Sequence, residues 1–101
     1  MSRTERMADA DVEEKLKMYP GWQRKDEKWL ARKYRFPQYL EGIEFVRQAA
    51  LAAEAMDHHP MLSIDYKLVT VSVSTWSAGG ISELDFELMK RCDELYAGTS
   101  A

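Results

Sequence analysis

Two pairs of segments in which apolar and polar side chains alternate most constrain how this chain can fold. The segments before, between and after these pairs have the apolar spacing of helices. Apolar and small polar side chains alternate over residues 62–66 and 68–73, and β-branched residues dominate the second run. This pattern predicts two strands with one buried face and one face rich in hydroxyl groups. A less regular pair, residues 22–24 and 29–36, flanks a polar turn at residues 25–27 and predicts another hairpin.

Three other segments have the three- and four-residue apolar spacing of amphipathic helices. The first helix is expected to have Asp9 or Asp11 as its cap and to end at Pro20-Gly21. The second and longest is predicted over residues 38–56, directly after Pro37. The third is predicted to follow Ser82 and to run to about residue 96.

The predicted order of elements is therefore α-β-β-α-β-β-α. Two hairpins and three helices in this order predict an α+β fold, in which a four-stranded antiparallel sheet has its helices packed on one face. We expect a single domain at residues 9–96, with flexible ends at residues 1–8 and 97–101. The long helix carries a patch of alanines, which predicts close approach of another backbone, from the chain's own sheet or from a second subunit. These alanines are Ala49, Ala50, Ala52, Ala53 and Ala55.

Size and charge exclude several classes of function. A chain of 101 residues can form one core but has little mass for a deep private cavity, so we expect a shallow ligand site or one completed by a second copy. A formal charge of −3 lacks the positive field that nucleic-acid binding requires. The single cysteine, Cys92, excludes internal disulfides and multi-cysteine metal sites. With no secretory signal and no membrane-spanning run, we expect a cytoplasmic protein, the nucleus being the other compartment that fits.

Both histidines of the chain lie together, directly before Pro60. Glu54 precedes His58 by four residues near the predicted helix end, so a shared helical face would let the carboxylate orient the imidazole. A structural role at the helix C-terminus is one interpretation. A metal site is a second, although it would need ligands from another chain. Proton transfer by an imidazole that titrates near neutrality is the third.

The histidines belong to a longer pattern of spaced residues. Glu54 is followed by His58-His59-Pro60, then by Tyr66, by Trp76 and by Asp85. These residues and their intervals resemble the signature of the pterin-4a-carbinolamine dehydratase family. The similarity extends over roughly residues 20–96, and the family's fold has the α-β-β-α-β-β-α order reached above from periodicity.

The resemblance implies a lyase that dehydrates a 4a-hydroxytetrahydropterin, the 4a-carbinolamine, to the quinonoid dihydropterin in tetrahydrobiopterin recycling. It implies no metal and no organic cofactor. His58 would be the main proton carrier, oriented by Glu54, and His59 would bind the pterin or assist. Asp85 would be catalytic, cap the last helix after Ser82, or do both. The residues implied to frame the pterin ring are Asp57, His58, His59, Pro60, Ser74, Thr75, Trp76 and Ser77.

Three positions depart from the animal members of that family. Trp76 stands where many members have a third histidine, and its indole donates a hydrogen bond but does not exchange a proton. Leu62 and Leu84 stand in place of a tryptophan and an arginine, so the pocket is expected to be more apolar.

The resemblance further implies a homodimer or homotetramer, with no direct nucleic-acid or membrane partner. The alternative function is a non-catalytic oligomeric binding module that acts as a dimerisation cofactor of a transcription factor.

Overall fold

The alternating segments form one antiparallel sheet in the computed structural model, which describes residues 3–99. The helices and strands follow the predicted α-β-β-α-β-β-α order, which confirms the α+β fold. The helices are α1 (Asp9–Leu16), α2 (Tyr39–Met56) and α3 (Glu83–Thr99). The strands are β1 (Gln23–Arg24), β2 (Leu30–Arg35), β3 (Met61–Asp65) and β4 (Leu68–Val73), and a 3-10 turn (Trp76–Ala78) follows β4.

The strands lie in the order β1-β2-β4-β3, so β2 and β4 form the centre of the sheet. The alternation predicted for β4 is present: its three valines are buried, while Thr70 and Ser72 between them are half-buried. The valines pack with Phe45 of α2 and Leu88 of α3 in one hydrophobic core. Strand β3 is an edge strand, and it begins directly after the histidine segment.

Helix α2 approaches the sheet through two of the predicted alanines. Ala49 and Ala53 are buried together with Phe45, whereas Ala55 on another side of the helix is exposed. Because alanine adds little bulk beyond the backbone, these positions let the helix lie close to the strands. The alanine patch therefore serves the chain's own sheet on one face of α2.

Asp93 attaches α3 to the sheet, a role that the sequence pattern did not reveal. Its Oδ1 accepts hydrogen bonds from Trp22 Nε1 at 3.0 Å, from Arg32 at 2.8 Å and from the Tyr34 hydroxyl at 2.5 Å. The Arg32 guanidinium also lies 4.5 Å from the centre of the Tyr34 ring. Burial, reinforced by the Asp93 carboxylate, raises the pKa of Tyr34, which keeps the phenol a neutral donor.

Two predicted helix starts are wrong in detail. The N-cap of α1 is Ala8, and neither Asp9 nor Asp11 caps the helix; the Asp9 carboxylate accepts a 2.8 Å hydrogen bond from Arg24 instead. Helix α2 begins one residue later than predicted, with Gln38 as its N-cap.

Two later boundaries also differ. Tyr66 lies in the turn between β3 and β4 with φ 55°, beyond the strand that it was expected to complete. Helix α3 continues to Thr99, three residues past the predicted limit of the domain.

Part of the N-terminal stretch contacts the rest of the fold. The Met7 amide donates to the Ile81 carbonyl at 2.7 Å, and Arg3 pairs with Glu87 of α3. The parts of the predicted flexible ends at residues 1–2 and 100–101 lie outside the described residues. Over residues 3–99, no helix is long and apolar enough to cross a membrane.

Candidate functional site

A left-handed residue at the end of α2 sets the direction of the histidine segment. Asp57 has φ 51° and ψ 43°, and the helix ends at Met56 before it. The His58 amide donates back to the Ala53 carbonyl at 3.0 Å, and the same carbonyl also accepts from the Asp57 amide, which closes the last turn of the helix. His58 and His59 therefore lie on the irregular link between α2 and β3, not on the face of the helix.

His58 is paired with Asp85 from the first turn of α3. The distance from His58 Nε2 to Asp85 Oδ1 is 2.7 Å, and the side chains are 10% and 0% exposed, respectively. Asp85 Oδ2 accepts two further hydrogen bonds, from the Thr75 hydroxyl at 2.7 Å and from the Ser82 amide at 2.9 Å. The Ser82 amide contact is one half of a capping box, so Asp85 caps α3 and holds His58 at the same time.

His59 is paired with Glu54, and this corrects the predicted pairing. The distance from His59 Nε2 to Glu54 Oε1 is 2.5 Å, and both side chains are exposed. The prediction that Glu54 orients His58 is wrong because it required helical geometry through residue 58. Once the chain leaves the helix at Asp57, Glu54 reaches the residue five positions ahead, and His58 turns toward α3.

The other predicted site residues lie on the two segments that flank this network. On the histidine segment, Asp57 is exposed and Pro60 is half-buried. On the segment after β4, Ser74 is half-buried and Ser77 is exposed. Trp76 is 94% exposed, whereas Trp22 is buried and Trp29 is half-buried.

Thr75 differs from its neighbours because its side chain is buried. It is 3% exposed, and its hydroxyl contacts both Asp85 and the Ser82 hydroxyl, the latter at 2.5 Å. The Thr75 amide donates to the Gly80 carbonyl at 2.8 Å, which closes the loop and returns the chain to Ser82. The family resemblance implies a place for Thr75 in the pterin frame, and the sequence pattern indicates only a capping role for Ser82. The short connection between β4 and α3 is the feature of the sequence from which a contact between the Thr75 and Ser82 side chains could have been predicted.

Several side chains around the buried network are exposed, among them Asp57, His59 and Trp76. A cavity of about 720 Å³ lies elsewhere, lined mainly by residues of α3, and Lys15 and Glu83 in its wall form an ion pair at 2.5 Å. Within residues 3–99, no group of three or more His, Cys, Asp or Glu side chains is arranged to hold a metal ion.

The geometry supports proton transfer by two unlike imidazoles. An ionised carboxylate accepts hydrogen bonds but donates none, so each Nε2 that faces one carries the hydrogen. In a neutral imidazole this leaves Nδ1 as the free acceptor. His58 has a buried carboxylate partner and His59 an exposed one. Two imidazoles next to each other in the chain, one held by a buried carboxylate and the other at the surface, can serve as proton acceptor and proton donor.

Comparison with known proteins places the chain in a family. The family model described as pterin 4 alpha carbinolamine dehydratase matches residues 5–95. A relative from Picosynechococcus sp. is 38% identical over 90 residues, which cover 89% of this chain and 97% of the relative. A relative from Mycobacterium sp. (strain KMS) is 42% identical over 89 residues, covering 88% and 94%. Both are named, provisionally, as pterin-4-alpha-carbinolamine dehydratases.

Two solved structures are also similar. A Brucella melitensis protein, described as a transcriptional coactivator/pterin dehydratase, has a TM-score of 0.86 at 31% identity, with 91% of this chain and 99% of that chain covered. A pterin dehydratase-like RuBisCO assembly factor of the alpha-carboxysome has a TM-score of 0.64 at 19% identity, with 75% and 89% covered, and shares the fold. From the family match, the curated relatives and the Brucella structure together, the chain belongs to the pterin-4-alpha-carbinolamine dehydratase family.

Proposed function

We propose that this protein dehydrates a 4a-hydroxytetrahydropterin to the quinonoid dihydropterin, with His58 and His59 as its proton carriers. The observation that carries the proposal is the His58–Asp85 pair, 2.7 Å apart and almost fully buried, directly beside the exposed His59–Glu54 pair. Family membership supplies the substrate class, and the two pairs supply the acid–base groups that this reaction needs.

The reaction is an elimination with a simple atom balance. The bond between carbon 4a and its hydroxyl oxygen breaks, and that oxygen gains a proton to leave as water. The neighbouring ring nitrogen loses its proton, and the electron pair of the N–H bond forms the new carbon–nitrogen double bond. One group must therefore accept a proton from nitrogen while another delivers a proton to oxygen.

His58 is suited to accept the proton from the ring nitrogen. Its Nε2–H donates to Asp85, so the lone pair on Nδ1 is free, and the imidazolium that forms is stabilised by the buried carboxylate. His59 is suited to deliver the other proton. In its protonated form, Nε2–H donates to Glu54 and Nδ1–H is available for the leaving hydroxyl group.

Trp76 is proposed to form one side of the pterin frame. It directly follows Thr75, whose hydroxyl bonds the same carboxylate as His58. Covering about 100 Å² of this exposed indole with a flat ring would contribute about 2.5 kcal/mol. Ser74, Ser77 and Asp57 are polar groups on the flanking segments that can hydrogen-bond the edge of the ring.

The test is a dehydratase assay on freshly generated 4a-hydroxytetrahydropterin, corrected for the spontaneous reaction in buffer. We expect wild type to exceed the buffer rate clearly and His58→Ala to fall to that rate. His59→Ala is the matched comparison, and we expect it to retain intermediate activity because water can replace an exposed acid. Far-UV circular dichroism of each variant controls for folding. A wild-type rate equal to buffer, or full activity in His58→Ala, would sink the proposal.

We also propose that the protein works as a homodimer or homotetramer. Large apolar side chains are exposed on α2, at Leu40 and Leu51, and on the edge strand β3, at Met61 and Ile64. Burial of these exposed apolar side chains against a second copy would favour association. Light scattering after size exclusion should give a mass of two or four chains, and a monomer at micromolar concentration would contradict this.

A binding module that serves as a dimerisation cofactor of a transcription factor is the second candidate function. It is favoured by the word coactivator in the description of the Brucella structure. An oligomer without dehydratase activity in either wild type or His58→Ala would favour it over the enzyme.

A further inference from the structure

A buried chain of hydrogen bonds stands behind His58. It begins at the Ser82 hydroxyl, which lies 2.5 Å from the Thr75 hydroxyl, and continues from Thr75 to Asp85 at 2.7 Å. Asp85 then reaches His58 at 2.7 Å through its other carboxylate oxygen. Ser82 and Asp85 are fully buried and Thr75 nearly so, which leaves bulk water little access to these contacts.

The hydrogens in this chain have only one consistent arrangement. An ionised Asp85 accepts from every neighbour, so the single hydroxyl hydrogen of Thr75 points to Asp85. The Thr75 oxygen can then only accept from Ser82, whose hydroxyl must be the donor. Together with the Ser82 amide, this places two donors on one carboxylate oxygen and leaves the other oxygen for His58.

We propose that Thr75 and Ser82 are positioning residues that lock the Asp85 carboxylate and, through it, hold His58 in the tautomer with hydrogen on Nε2. Without the Thr75 hydroxyl, which the Ser82 hydroxyl orients, Asp85 Oδ2 keeps only the Ser82 amide as a donor. The carboxylate is then held less firmly about its last side-chain bond, and the imidazole loses its fixed partner. The tautomer follows from the hydrogen bonds alone, and it leaves the Nδ1 lone pair in a fixed position. The effect of that lone pair on turnover rests on the proposed dehydratase function.

Thr75 has a different role from the other residues of the pterin frame, because its side chain does not face a bound ring directly. Its side chain is 3% exposed and its hydroxyl is occupied by two protein partners. A bound ring is therefore affected by Thr75 through Asp85 and His58. Removal of the hydroxyl should change turnover more than substrate binding.

The decisive experiment is nitrogen-15 NMR of the imidazole rings, recorded without substrate at a pH where both histidines are neutral. The spectra distinguish a ring nitrogen that carries hydrogen from one that does not, and His59→Gln assigns the signals. We expect wild-type His58 to carry hydrogen on Nε2 alone. We expect Thr75→Val, of nearly the same shape, to give a mixture of tautomers, and Thr75→Ser to restore the single form.

Thr70→Val is the matched control, since Thr70 lies on β4, the strand that leads to Thr75, and outside this network. It should leave the His58 signals unchanged. In the dehydratase assay, Thr75→Val should lower kcat roughly 10- to 100-fold with KM within about twofold, because a small loss of alignment has effects of this size. Thr75→Ser should recover most of the rate.

Several results would overturn the proposal. Wild-type His58 with its hydrogen on Nδ1 would do so without any variant, and so would an unchanged tautomer in Thr75→Val or failure of Thr75→Ser to restore it. If wild type shows no dehydratase activity while the tautomer follows Thr75 as described, the positioning role stands and the proposed reaction fails.

Discussion

Replacing Asp93 with alanine should destabilise the protein strongly without touching the histidine pairs. The carboxylate is the shared acceptor for the Trp22 indole, Arg32 and the Tyr34 hydroxyl. Trp22 is 4% exposed and Tyr34 is fully buried, so both donors would lose their partner with little access to water. The Arg32 side chain is a quarter exposed and can be solvated, so the loss of its partner adds little to the cost.

Each buried donor left without a partner costs about 1–3 kcal/mol, so two of them predict a loss of about 2–6 kcal/mol. Domains of this size have a total stability of about 5–15 kcal/mol. A loss of about 3 kcal/mol corresponds to a fall in Tm of roughly 12–24 °C for a chain of about 100 residues. We therefore expect Asp93→Ala to fold at room temperature but to melt far below wild type.

The assay is urea unfolding followed by far-UV circular dichroism, completed as a double-mutant cycle with Tyr34→Phe. In the wild-type background, Tyr34→Phe removes a hydrogen bond, but in Asp93→Ala it removes an orphaned hydroxyl. The second change should therefore cost at least 1 kcal/mol less than the first. Equal effects in both backgrounds, or a loss below about 1 kcal/mol for Asp93→Ala alone, would refute this account of how α3 is attached to the sheet.

Three further predictions concern the site and the core. Asp85→Asn should keep the helices but lower dehydratase turnover by roughly 10²- to 10⁴-fold, because an amide cannot accept from both His58 and the Ser82 amide. Burial raises the pKa of the Cys92 thiol to about 12 and also raises that of Tyr34, so the folded state holds both protons more tightly than the unfolded chain. Stability from these groups is complete below about pH 9 and should fall toward pH 12, by up to about 1.4 kcal/mol per pH unit for each group. Trp76→His should maintain or raise turnover, because it adds an imidazole that exchanges protons where the indole does not.

Each of these has a clear contrary result. Wild-type turnover in Asp85→Asn would remove the carboxylate from the mechanism. Above pH 9, the unfolding free energy of Cys92→Ala should depend less on pH than that of wild type. The same dependence in both proteins would show that the Cys92 thiol does not contribute to it. A collapse of activity in Trp76→His with an intact fold would show that the indole itself is required.

The order of elements could be predicted because each element depends mainly on neighbours in sequence. The alternation in residues 68–73 and the helical spacing in residues 38–56 reflect which side chains face the core, and both patterns appear in the structure. Element ends were less predictable. Helix α1 ends at Leu16, before the stop expected at Pro20-Gly21, and no spacing rule indicated that Asp57 after α2 would be left-handed.

The sequence by itself determined the fold class, the family and the pair of histidines around which a site is proposed. It did so because hydrophobic periodicity and the spacing of motif residues depend on positions along the chain and not on which distant segments meet in the fold. Only the tertiary structure decided which carboxylate belongs to which histidine. Asp85 lies 27 residues beyond His58, and the two meet because the turn at Asp57 and the short loop from β4 to α3 bring their segments together. Glu54, the nearer carboxylate in sequence, is left to His59 on the surface.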